Sequence, residues 1–294
     1  MNEIRSQDAV EFLCSLADGC ADLIIADPPY GIEKSFGVEE SWSNIEEWAI
    51  WCERWLKESQ RVLKSSGNLL LYGIHNYLCY NQVSLYKLGM QYRRQFIWHY
   101  ENGFCGNRRL PRATYEPLLW FTKSDDFFFE EIREPYKSEE RLKYKITKGG
   151  KVWQPNPSGR IAGDVWPIPT LAGRRFRDEK VDHPTQKPLA LSERLVKHFS
   201  PATSMIVIPF AGSGSECVAA FRNGRSFLAT EINSYFRTLA ETRLKVEGWV
   251  KTDTEAQSAS KSSGESFAMF PSKSALIQSA PVGQTEQTAL SRMK

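Results

Sequence analysis

The chain lacks the marks of a metalloprotein, of a disulfide-stapled module and of a membrane protein. Its six cysteines form no Cys-x-x-Cys pair and four histidines complete no zinc-ligand spacing, so no metal is expected and the thiols read as reduced core residues. No run of residues is apolar over the length a bilayer requires, and Met1-Asn2-Glu3-Ile4-Arg5 carries no apolar leader. A cytoplasmic protein with no membrane partner is therefore expected. Charge of one sign is scarce too: 38 Lys and Arg against 35 Asp and Glu leave +3, which by itself points to no polyanionic partner. No internal repeat is visible.

What is present is enough apolar material for one large folded unit, 41% of 294 residues. Ala21-Asp22-Leu23-Ile24-Ile25-Ala26 is a short apolar run that stops at Asp27 and two prolines, the way a buried parallel strand ends. Ser43 and Glu46 are spaced as a capping box, and Ile45, Trp48, Cys52, Trp55, Leu56 and Val62 recur at helical spacing up to a turn at Ser65-Ser66-Gly67. A strand at Leu69 to Tyr72, a helix around Tyr77 to Leu88 and strands at Gln95 to Tyr100 and Pro117 to Thr122 follow. The rhythm breaks from about Asp125 to Asp182. It resumes with a helix from Leu189 to Phe199, a strand Met205 to Ile208, a glycine-rich loop, a helix ending near Gly224 and a strand Phe227 to Thr230. This alternation predicts an α/β fold with a mostly parallel sheet. Between Arg133 and Lys180 stand 12 Lys or Arg against 6 Asp or Glu, a basic insertion in a mildly acidic scaffold. Beyond Val250 large apolar residues are few, so 251–294 is expected to be a disordered tail.

Two motifs carry chemistry. Ile208-Pro209-Phe210-Ala211-Gly212-Ser213-Gly214 joins a strand to a helix, and Glu231 closes the next strand, 19 residues after Gly212. Glycines let a backbone approach a ligand closely, and a carboxylate so placed can accept hydrogen bonds from ribose hydroxyls. The run is not Gly-x-Gly-x-x-Gly and no lysine follows to grip phosphate, so a ribose-bearing ligand without pyrophosphate fits better. Read alone, the same residues also suit a tight turn beside an ordinary helix-start carboxylate. Asp27-Pro28-Pro29-Tyr30 leaves a similar choice. It is either a proline turn with an exposed aspartate, or a site where Asp27 and the Pro28 carbonyl accept both hydrogens of an amino group while Tyr30 offers a face to a base.

Five segments, in order, carry a resemblance: Asp27 to Tyr30, Tyr115-Glu116-Pro117, His183-Pro184-Thr185-Gln186-Lys187-Pro188, Phe210 to Gly214, and Glu231-Ile232-Asn233. Over residues of about 8 to 247 the chain resembles the amino-methyltransferases of DNA, specifically the permuted beta class that methylates adenine N6. The resemblance implies a Rossmann-like sheet of the class I methyltransferase type, circularly permuted. The catalytic half would be 1–124, a basic target-recognition insertion 125–182, and the cofactor-binding half 183–250. It further implies that Phe210, Ala211, Gly212, Ser213 and Gly214 lie against S-adenosylmethionine, that Glu231 holds its ribose with Asn233 alongside, that Asp8 meets its adenine amino group and that Lys187 borders its methionine end. Asp8 reads nearly as well as a helix N-cap before Ala9 to Leu16, and Lys187 as a solvated surface lysine. Where the family usually has Asp-Pro-Phe this chain has Ile208-Pro209-Phe210, so an acid near the methionine moiety is missing, and Gln7 replaces a customary glycine.

The implied activity is methyl transfer to N6 of an adenine flipped out of double-stranded DNA, with Asp27, Pro28, Pro29 and Tyr30 as the catalytic residues. Arg108, Arg109 and Arg112, before Tyr115, and Arg160, Arg174, Arg175 and Arg177, in the insertion, are the candidates for phosphate or guanine contacts, although each singly also suits a solvated charge. Cytosine N4 methylation uses the same chemistry, with Ser usually in place of the first Asp. A DNA-binding relative without catalysis is a second alternative, motivated by Ile208. A nicotinamide dehydrogenase would leave the proline motif and His183 to Pro188 unexplained. Cytosine C5 methylation needs a cysteine nucleophile, usually after proline, and no Pro-Cys dipeptide occurs. A homodimer is implied by the family alone.

Overall fold

The structure, a computed structural model, describes residues 1–30, 42–103 and 109–251. Arg108 and the expected tail beyond Lys251 lie outside the described residues. The chain begins β1 (Asn2–Arg5), α1 (Ala9–Cys14), β2 (Ala21–Ala26), α2 (Ile45–Val62), β3 (Leu63–Tyr72), α3 (Leu78–Lys87), β4 (Gln91–His99) and β5 (Tyr115–Thr122). Short strands follow: β6 (Arg133–Glu134), β7 (Ile146–Lys148), β8 (Lys151–Trp153), β9 (Arg160–Ile161) and β10 (Val165–Pro167). The described chain then runs through α4 (Leu189–Phe199), β11 (Met205–Ile208), α5 (Ser215–Arg222), β12 (Ser226–Thr230) and α6 (Ser234–Val246).

Eight strands form one sheet in the order β1-β12-β11-β2-β3-β5-β4-β10. Five of its seven pairings are parallel, as the alternating pattern predicts, while β5 runs antiparallel to both β3 and β4. The crossover from β3 through α3 to β4 skips one position, and the direct return from β4 fills it from the opposite direction. Both faces are covered, which is why β2 and β11 are nearly unbroken apolar runs. One face buries Phe12, Leu13, Trp48, Trp55 and Leu85 from α1, α2 and α3; the other buries Leu191, Leu195, Val218 and Leu244 from α4, α5 and α6.

Three local expectations are corrected. The cap of α2 is Asn44, which accepts the Glu47 N–H at 2.9 Å while the Glu47 carboxylate accepts the Ser43 N–H at 2.9 Å; the box lies one residue later than Ser43 and Glu46 suggest. No turn forms at Ser65-Ser66-Gly67, because α2 passes straight into β3. The β2–β3 register shifts between Ala21 and Leu23, and a Cβ on Gly67 would stand 2.7 Å from Leu63 Cδ1 and 3.0 Å from the Ala21 carbonyl oxygen. The glycine therefore serves an irregularity in the ladder. Finally, Cys52 and Cys217 are buried thiols, but Cys14 and Cys79 are exposed, since each lies on the solvent side of its helix.

Within 125–182 the chain makes two small ribbons, β6 with β9 and β7 with β8, and returns to the main sheet at β10. There Trp166 is fully buried and stacked on Phe96, with ring centroids 4.3 Å apart. No described helix is long and apolar enough to cross a membrane.

Candidate active site

From β2 the chain moves through α2, on one face, to β3; from β11 it moves through α5, on the other face, to β12. β2 and β11 are neighbours, so their carboxyl ends flank the crevice that opens where a doubly wound sheet reverses its winding. The sequence places Asp27 at one of these ends and the glycine loop at the other.

On the β11 side, Gly212 and Gly214 have φ of +49° and +77°, left-handed values that side chains rarely adopt. A Cβ on Gly212 would stand 3.0 Å from His183 Nε2, and one on Gly214 2.6 Å from Ala240 Cβ, so the loop is pressed between the imidazole and α6. Glu231 accepts the Gly212 N–H with Oε2 and the Asn233 N–H with Oε1, each at 2.8 Å. Burial pushes its carboxyl up, and these N–H bonds oppose that rise. Each of its oxygens keeps a second lone pair for a ligand hydroxyl. Asn233 caps α6 through the N–H groups of Tyr235 and Phe236. His183 packs edge-on against Phe236, and burial lowers its pKa to about 4, with the Asp27 charge opposing and the Lys187 and Arg243 charges assisting.

Asp8 does cap α1: its Oδ1 accepts the N–H of Val10 at 2.8 Å and of Glu11 at 3.2 Å. It also lies at the rim of this crevice, because the Gln7 N–H donates to Thr230 Oγ1 and the Glu231 N–H to the Arg5 carbonyl. The Gln7 side-chain oxygen is buried without a hydrogen-bond partner. Ile208 is fully buried in the apolar core, and the next aromatic, Phe210, packs on Trp51 and Trp55 at 5.8 and 5.3 Å.

On the β2 side, Asp27 Oδ1 accepts the hydroxyl of Tyr30, and Oδ2 receives Lys187 Nζ at 2.7 Å. The same ammonium lies 3.3 Å from Glu116 Oε2 at the start of β5. Burial alone would lower the pKa of Lys187, but the charges of Asp27 and Glu116 outweigh it and the side chain stays an ammonium. Tyr30 and Tyr72 are buried phenols held far above their ordinary range, by burial first and then by nearby carboxylates. Glu216, buried at the start of α5, is also pushed up, by burial and then by the charge of Asp27. The Pro29 carbonyl accepts the Trp48 indole N–H at 2.8 Å. The carbonyl of Pro28, a buried residue, has no partner among the described residues.

The sequence alone does not single out Glu116 or Glu216. Glu116 had a weak signal, its place in Tyr115-Glu116-Pro117; Glu216 had none. Lys187, expected at the methionine end of a cofactor, has its ammonium on Asp27 and Glu116. The described arginine candidates lie on three separate stretches of the chain. Arg109 and Arg112 are exposed between β4 and β5, and Arg174, Arg175 and Arg177 are exposed around a short 3-10 turn. Arg160 pairs with Glu134 at 2.9 Å, and Arg194 takes the other oxygen of that carboxylate at 2.7 Å.

The DNA adenine methyltransferase YhdJ of Escherichia coli (strain K12) is 28% identical over 262 residues, which cover 87% of each chain. Two solved structures share the fold: the M1.HpyAVI–SAM complex, with a TM-score of 0.55 at 22% identity over 83% of this chain and all of that one, and the cytosine-N4-specific PvuII DNA methyltransferase, with 0.64 at 15% identity over 88% and 90%. The profile of the DNA methylase family matches residues 21–242, from β2 and Asp27 through the glycine loop into α6. The crevice with its two strand ends is thus matched as a whole, and the chain belongs to the DNA methylase family.

Proposed function

We propose that the protein is an S-adenosylmethionine-dependent methyltransferase of the permuted beta class, acting on N6 of an adenine flipped out of double-stranded DNA. The observation that carries this reading is a pair of acceptors, the Asp27 carboxylate and the Pro28 carbonyl, just past the end of the strand directly beside the one that leads into the glycine loop. The residues present fit the cofactor: two left-handed glycines, a carboxylate at the end of the next strand with lone pairs to give, and a buried Gln7 oxygen still without a partner. Gly212, Ser213, Gly214 and Glu231 would hold its nucleoside, with the second oxygen of Asp8 at the adenine amino group. When bound, the cofactor supplies a methyl group on a sulfonium.

The N6 lone pair is delocalised into the purine ring, so the amine must be drawn toward the pyramidal, positive-going nitrogen of the transition state. Asp27 and the Pro28 carbonyl do this by accepting its two hydrogens in a dehydrated site, where such bonds strengthen as charge develops. No covalent enzyme intermediate is needed. The base must leave its stack, at a cost of a few kcal/mol. Exposed Arg109, Arg112, Arg174, Arg175 and Arg177 are the set we assign to the duplex backbone and groove. We read 1–124, 125–182 and 183–250 as the catalytic, target-recognition and cofactor-binding parts.

The test is transfer of labelled methyl from S-adenosylmethionine to unmethylated duplex DNA, followed by digestion to nucleosides. N6-methyldeoxyadenosine is expected. N4-methyldeoxycytidine would replace the substrate, and absence of labelled product would leave a DNA binder without catalysis.

A further inference from the structure

One buried group in the crevice has a position that the expected chemistry does not explain. Lys187 is an ammonium with a side chain 3% exposed, drawn between two carboxylates that come from different strands. Buried lysines are rare and persist only when paired, so the arrangement is specified rather than incidental. The rings of Tyr72 and Tyr30 flank the ammonium at 4.9 and 5.8 Å, an additional attraction for a cation.

We propose that Lys187 is a positioning residue that fixes the orientation of the Asp27 carboxylate for capture of the target amine, with Glu116 as the second anchor that keeps the ammonium in place. The proposal rests on the reading of Asp27 as the amine acceptor. Tyr30 uses one lone pair on Oδ1 and Lys187 one on Oδ2, which leaves each oxygen a second lone pair whose direction is set by the first. Without the ammonium, only the Tyr30 hydroxyl resists rotation of the whole carboxylate about its Cβ–Cγ bond. Glu116, approached from β5, restricts the lysine in the same way.

The backbone of Lys187 extends the chain of contacts to the other half of the crevice. Its carbonyl accepts the Ser215 hydroxyl at 2.7 Å, and Arg243 Nη1 donates to Ser215 Oγ at 3.1 Å and to the Ser213 carbonyl at 2.6 Å. The glycine loop and the acceptor carboxylate are therefore placed relative to one another through a single residue, which transfer between two bound reactants requires.

The deciding variant of the full-length protein is Lys187→Met combined with Glu116→Gln, which removes one charge of each sign and takes both the ammonium and its second anchor away from Asp27. Single-turnover methyl transfer to duplex DNA, calorimetric titration with S-adenosylmethionine and thermal melting are compared with wild type. The expected result is a folded protein with cofactor affinity within about threefold of wild type and transfer slowed by about 100-fold, the scale of loss that misplacing a reacting group causes. A folded double variant that transfers within about fivefold of the wild-type rate overturns the proposal. Glu116→Gln alone, which lightens a surplus of negative charge and should fold, is expected to slow transfer about tenfold with cofactor affinity unchanged. If the double variant does not fold, this single variant decides, and an unchanged rate overturns the proposal. Failure of the functional reading itself shows elsewhere, as a wild-type protein that transfers no methyl group to adenine.

Discussion

Lys187 and Arg175 each carry one positive charge, and they use it in opposite ways. Lys187 is locked between Asp27 and Glu116 behind two tyrosine rings. Arg175 is exposed on a short turn with Arg174 and Arg177, its guanidinium lying over the ring of Phe176 at 4.7 Å. Removing a charge from water is costly, so a buried charge must have defined partners, and its direction becomes part of the chemistry. An exposed charge is screened and acts mainly in sum with its neighbours. The crevice is therefore sensitive to single atoms, and the insertion to the number of its cations.

The sharpest way to break this contrast is at Asp27. Asp27→Ala should lower methyl transfer by about 1,000-fold while folding and cofactor binding persist, because the lost acceptor acts mainly in the transition state. Turnover near wild type in a single-turnover assay would remove the carboxylate from the mechanism. A second substitution adds a charge to the buried side without giving it a partner. Since Ile208 sits in the apolar core, Ile208→Asp should destabilise the fold by about 3–5 kcal/mol, read from the urea midpoint. A variant that keeps its stability and binds S-adenosylmethionine more tightly would show instead that a partner for the carboxylate waits there.

His183 sharpens the comparison through pH. Its pKa is about 4 in the fold against an ordinary 6.5, so in that interval the unfolded chain binds a proton that the native protein refuses. Stability from this residue is complete above about pH 6.5 and declines as pH falls toward 4, by about 2 kcal/mol after allowing for partial exposure. His183→Gln should flatten that part of the pH–stability curve, and a curve of unchanged shape would assign the acid sensitivity to other groups. The smallest effect belongs to the insertion. Neutralising Arg174 and Arg175 together should weaken DNA binding and make the slope of log affinity against log salt shallower by about 1 to 2. An unchanged slope would place both residues off the duplex.

The features legible in the sequence are the local ones. Asp27 after an apolar hexamer, the glycines after Ile208 and Glu231 after the next strand each announce themselves within a few residues, and the structure puts all three at strand ends around one crevice. What the sequence conceals is contact across distance. Lys187 meets Asp27 because β11 and α4 return beside β2, and no spacing in the chain encodes that return. The reversed direction of β5 depends on which slot in the sheet remains open after β4 is laid down. The role of Gly67 is concealed for a related reason: a glycine after two serines has the composition of a turn, and only the approach of the Ala21 carbonyl distinguishes the irregular ladder actually formed. Asp8 shows that two local readings need not compete, since one oxygen caps a helix and the residue still stands at the rim of the crevice.

The strand Asn2–Arg5 finds its partner in Phe227–Thr230, so that Asn2 and Phe227, 225 positions apart, face each other at one edge of the sheet. On a ribosome adding about 5 to 20 residues per second, β1 waits on the order of 10 to 45 s for β12 to be made. β2 waits almost as long for β11, with an apolar edge that another chain could pair with in the interval. Closure of the crevice is thus among the last steps of folding, and contacts of such long range fold slowly. Recombinant yield should therefore depend more on the pace of synthesis and on chaperone protection of that early edge than on the stability of the finished sheet.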